Sequence, residues 1–89
     1  MIENSALVID KEARRVVWRV ARTRPDQLLQ TPWGDLRRGQ ERGAGLEVWV
    51  EAREAFDLTM IYEDVSYLEA IAPGRHRFIL TVLDSTDVA

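Results

Sequence analysis

The chain has 89 residues, 46% of them hydrophobic and 30% charged, with a net charge of −3 and no cysteine. This length holds one small core, and the composition is too apolar for a disordered chain and too evenly mixed for a membrane protein. Without cysteine there is neither a disulfide framework nor a thiolate nucleophile, so stability must come from packing within a single domain over residues 1–89.

The first apolar run, "ALVI" at 6–9, is far too short to span a bilayer, and the opening "MIENSALVID" carries an acid where a secretion signal carries positive charge. A cytoplasmic address is expected. "ALVID" and "RRVVWRVAR" are β-branched runs separated by "KEA", the spacing of a hairpin, and they predict strands over 5–10 and 14–23. In the second run Val16, Trp18 and Val20 fall on one face and Arg15, Val17 and Arg19 on the other. A helix from Lys11 to Thr23 competes, because Ala13, Val16, Val17 and Val20 also have helical spacing, but the β-branched and Trp content favours strand.

Residues 26–45 read as a short helix followed by a flexible loop. Leu29, Trp33 and Leu36 lie on one helical stripe that Pro32 interrupts. The expectation is therefore a turn of helix over Asp26 to Gln30, a second beginning at Thr31 and Pro32 and ending near Gly39, and a connector through "QERGAG". "LEVWVEAR" then alternates as a strand over 46–53, with Leu46, Val48, Val50 and Ala52 inward and Glu47, Trp49, Glu51 and Arg53 outward.

Asp57 to Ala72 carries the main helix signal: Leu58, Ile61, Tyr62, Val65, Leu68 and Ala72 share one face, Asp57 can cap the start, and Pro73-Gly74 stops it. Two strands turning within this segment are the alternative, since "LTMIY" is rich in strand formers. "RHRFILTVLD" predicts a last strand over 75–84, with Phe78, Leu80 and Val82 on one face and Ile79 and Leu83 on the other, as in a central strand. The fold class expected is α+β: an antiparallel sheet of about four strands with the helix 57–72 packed on one face. A mostly-β sandwich is the alternative.

Motifs for catalysis are weak. Gly34, Gly39, Gly43 and Gly45 do not form a phosphate loop, because Gly39 is followed by Gln40 and Glu41 where Lys and Ser or Thr are needed. One histidine and no cysteine exclude a His/Cys metal cluster. Glu63 and Asp64 are adjacent and read as solvated, and His76 lies between Arg75 and Arg77, with no serine in a nucleophile elbow. No catalytic residue, cofactor or metal is assigned, and an enzyme subunit is the least favoured of three functions.

Binding is better supported. The first 45 residues carry nine basic and six acidic groups, a charge of +3, and the remainder three basic and nine acidic, a charge of −6. Arg15, Arg19, Arg22 and Arg24 would make a phosphate-binding stripe in a nucleic-acid-binding protein. The function favoured is an accessory or regulatory protein-binding module within a larger assembly, with Trp33, Arg37, Arg38 and Trp49 as contacts, since Trp and Arg most often anchor interfaces. The partner would be another protein or a second copy of the chain, with no membrane involved.

Overall fold

Alternation of inward and outward side chains, rather than helical periodicity, organises the chain. The computed structural model describes residues 6–81, in which eight strands follow one another: β1 (Leu7–Asp10), β2 (Arg15–Arg19), β3 (Leu28–Thr31), β4 (Gly34–Arg42), β5 (Gly45–Ala52), β6 (Phe56–Tyr62), β7 (Val65–Ile71) and β8 (Gly74–Thr81). A single turn of 3-10 helix covers Val20–Arg22. The first sheet has the order β1-β2-β6-β7 and the second β3-β4-β5-β8. All neighbours are antiparallel except β2 and β6, which run parallel from Arg15 beside Asp57 to Arg19 beside Ile61.

The α+β expectation is overturned, since the described residues contain no α-helix. Segment 57–72 is a hairpin, β6 and β7, turning at Glu63-Asp64 with Glu63 at φ 58°. Its period is two: Phe56, Leu58, Met60 and Tyr62 are buried, while Leu68, on the supposed helical stripe, is 74% exposed. The helical pattern arose because Ile61 and Leu68 are apolar residues on the outer face of a sheet. Strand propensity in "LTMIY" outweighed it.

The helix and loop expected over 26–45 are likewise replaced, by β3, β4 and the start of β5. Thr31 does act as a cap, but of a tight turn: its hydroxyl accepts the Trp33 and Gly34 N–H groups at 3.1 Å each and donates to the Gly34 carbonyl at 2.8 Å. Gly34 is required there, because a Cβ would stand 2.5 Å from the Glu51 carbonyl oxygen on β5. Gly43, at φ +59°, turns β4 into β5. The 14–23 strand ends earlier than expected, at Arg19, and of the 75–84 strand Val82 and Leu83 lie outside the described residues.

The two sheets enclose one core. Val16, Trp18, Leu58 and Met60 from the first meet Leu36, Leu46, Val48, Val50 and Leu80 from the second, all at most 1% exposed. Trp18 can be buried because its indole N–H donates to the Thr23 hydroxyl at 2.9 Å. Along one side, the Tyr67 hydroxyl of β7 donates to the Thr81 carbonyl and accepts the Thr81 N–H at 2.9 Å, linking the edges of the two sheets.

At one end, Trp33 in the β3–β4 turn stacks on Phe56 with ring centroids 5.7 Å apart, and the Arg14 guanidinium lies 5.3 Å from the Trp33 ring centroid. Arg14 also donates to the Ala55 carbonyl at 2.7 Å and to Glu54 at 3.1 Å. Trp33 is 6% exposed and so belongs to the core. Trp33→Ala is expected to cost about 3–5 kcal/mol of stability through the cavity it leaves, read as a shift of the urea midpoint with little change of slope.

Candidate functional site

The outer face of the second sheet is built by register. Leu28 on β3 stands opposite Arg37 on β4, Arg37 opposite Trp49 on β5, and Trp49 opposite Arg77 on β8, so four strands contribute one continuous row. Trp49 points outward because the 46–53 alternation sends Leu46, Val48 and Val50 into the core. It is 42% exposed, and the Arg77 guanidinium sits 5.6 Å from its ring centroid. The adjacent row is Gln30, Asp35, Glu51 and Arg75.

Most charges on this face are paired. Arg77 bonds Glu47, Arg75 meets Glu51 at 3.4 Å, and Arg53 meets Asp35 at 3.7 Å. Each pair has an exposed arginine, with Glu51 exposed and Asp35 and Glu47 half-buried, and such solvent-screened pairs contribute little to stability, about 0–1 kcal/mol each. The Arg37 side chain makes no hydrogen bond or ion pair with any described residue. Leu28, Asp35, Arg37, Trp49, Glu51 and Arg75 line an open groove of about 370 Å³. The arrangement offers a half-exposed indole and, in Arg37, a guanidinium without a partner among the described residues, with Leu28 at one end of the row.

The other expected residues lie elsewhere. Arg38, next to Arg37, faces the opposite side of β4: half-buried, it donates to the Thr23 carbonyl, and its Nε has no partner among the described residues. Trp33 is in the core at the end of the sandwich. Arg15 and Arg19 are on the outer face of the first sheet, where Arg15 stands between Asp10 and Asp57 in register, while Arg22 is in the 3-10 turn and Arg24 follows it. Hence Arg37 and Trp49 are brought together, and the four N-terminal arginines are not aligned on one strand. His76 Nε2 lies 2.7 Å from the Ala72 carbonyl with its ring stacked on Phe78, and Glu63 and Asp64 form the exposed β6–β7 turn. Among the described residues no three His, Asp or Glu side chains gather as a metal site, and no helix is long and apolar enough to cross a membrane.

Leu28 and Arg77 were missed as members of the row. Leu28 fell in a segment expected to be helical, and nothing local in the sequence pairs Arg77 with Trp49, since that depends on which strand lies beside β5. Tyr62 and Glu41 were missed as a pair for the same reason: β6 and β4 belong to different sheets. There the Tyr62 hydroxyl donates to Glu41 Oε2 at 2.8 Å, and its pKa is raised by that hydrogen bond, then by burial and by the Glu41 charge.

Folding thus holds the Tyr62 proton more tightly than the unfolded chain does. The stabilisation is complete below the ordinary phenol range and is lost as pH rises through the folded-state value. Ultraviolet titration should find Tyr62 ionising above the ordinary range, and Glu41→Ala should bring it down.

No family model, curated protein or solved structure matches this chain.

Proposed function

We propose that the chain is a non-catalytic protein-binding module, acting within a larger assembly, and that it binds through the outer face of the second sheet. The observation that carries this proposal is Trp49, held half-exposed between Arg37 and Arg77 in the middle of four paired strands. A tryptophan fixed by a rigid sheet loses little entropy on binding, and an arginine beside it, without a side-chain partner among the described residues, can take a carboxylate from the partner in bidentate geometry. The contact set narrows from the four residues expected to Trp49 and Arg37, joined by Leu28 and Arg77.

Nucleic-acid binding has less support. Asp10 and Asp57 flank Arg15 in register and oppose a phosphate at that point, and Arg22 and Arg24 leave the strand altogether.

The test uses a partner identified by affinity capture from the native host and then purified. Trp49→Ala should weaken its binding by about 2 kcal/mol or more, and Arg37→Ala by a smaller amount, with melting of the chain almost unchanged. Unaltered affinity in both variants would overturn the assignment of this face. Salt-dependent RNA or DNA binding that falls on reversing Arg15 and Arg19 would favour the nucleic-acid function instead.

A further inference from the structure

We propose that the outer face of the first sheet, on the side of the sandwich away from Trp49, joins two copies of this chain about a twofold axis parallel to the strands. A cross-strand row runs Val8, Val17, Thr59, Leu68 over the four strands of that sheet. Its two ends are the exposed ones, Val8 at 53% and Leu68 at 74%. Beside the row, Val17, Thr59, Leu68 and Ala70 line an open groove of about 500 Å³ together with Arg15 and Asp57.

The occupant is specified by self-complementarity. β2 and β6 are the two central strands and run parallel. A twofold axis between them, along their direction, exchanges β2 with β6 and β1 with β7 while preserving strand direction and row. It therefore lays Val8 of one copy on Leu68 of the other and Val17 on Thr59, each twice, which is the reciprocity an isologous interface demands. The same operation brings Arg15 of each copy to Asp57 of the other. Neither side chain has an ion pair or hydrogen bond among the described residues, although the two stand opposite one another in register. Two charges of opposite sign, without side-chain partners among the described residues, thus find partners on a face that also carries Val8, Val17, Ile61 and Leu68 beside Asp10 and Arg19.

Sedimentation equilibrium on the full chain, from micromolar to millimolar concentration, tests the proposal, with circular dichroism and melting to verify that each variant is folded. The wild type should dimerise reversibly. Leu68→Asp, Arg15→Asp and Asp57→Arg should each weaken the dimer about tenfold or more. An equimolar mixture of Arg15→Asp and Asp57→Arg should recover a one-to-one heterodimer, because both cross-copy pairs are then attractive again. Trp49→Ala should leave the dimer intact, which separates this contact from the partner face of the second sheet. A chain that stays monomeric throughout, a dimer indifferent to these three substitutions, a mixture that fails to recover, or a dimer lost in Trp49→Ala would each overturn it.

Discussion

The corner where Arg14, Trp33 and Phe56 meet sets the geometry of the whole sandwich. Trp33 comes from the second sheet, Phe56 begins β6 of the first, and Arg14 closes the β1–β2 turn above them. An aromatic stack and a cation over its face are each worth about 0.5–2 kcal/mol, but their position matters more than their sum. At the same place the Asp57 N–H donates to the Arg14 carbonyl at 2.9 Å, and the Arg53 and Glu54 N–H groups donate to the Trp33 carbonyl at 2.7 and 3.2 Å. The first of these bonds places Arg15 beside Asp57 and so sets the register of the central parallel pair, while the other two hold the β5–β6 connection against the β3–β4 turn. With a slip of one residue, Val16, Trp18, Leu58 and Met60 could not all remain inside, because side chains on a strand alternate between faces.

Charge also changes meaning once the strands are in place. The basic first half and acidic second half of the sequence suggest two oppositely charged regions. In each sheet the first-half strands, β1-β2 and β3-β4, lie together on one side, and the halves meet only at a central seam, β2 beside β6 and β4 beside β5. Arginines come to stand next to acids, as Arg15 does by Asp57 and Arg53 by Asp35. The asymmetry is therefore offset where the halves meet, across that seam, while the Arg37 side chain has no partner among the described residues.

Strands that alternate cleanly were legible. The 46–53 strand, the hairpin at the start and the direction in which Trp49 points all follow from period two. Residues 26–45 and 57–72 misled for separable reasons. In the first, Thr31 and Pro32 signal a cap, and a cap serves a tight turn as readily as a helix. In the second, a sheet with apolar residues on both faces satisfies helical spacing by coincidence, and only the burial of Met60 and the exposure of Leu68 distinguish the two. The row through Leu28, Arg37, Trp49 and Arg77 was half visible: Trp49 and Arg37 as residue types, their neighbours only through strand order. Strand order is a property of the assembled core, where no local signal reaches.

The parallel pairing of β2 with β6 has a consequence for how the chain reaches this state. The β1–β2 and β6–β7 hairpins and the β3–β4–β5 meander form from contacts close in sequence, whereas joining β2 to β6 brings residue 15 to residue 57. That closure is entropically costly until the intervening meander has condensed and shortened the effective loop. High contact order of this kind slows folding, and while β6 is undocked, β2 offers an open edge beside the unburied Trp18. On a ribosome that edge stays open until β6 emerges, which leaves the β1–β2 hairpin exposed to non-native strand pairing in the interval.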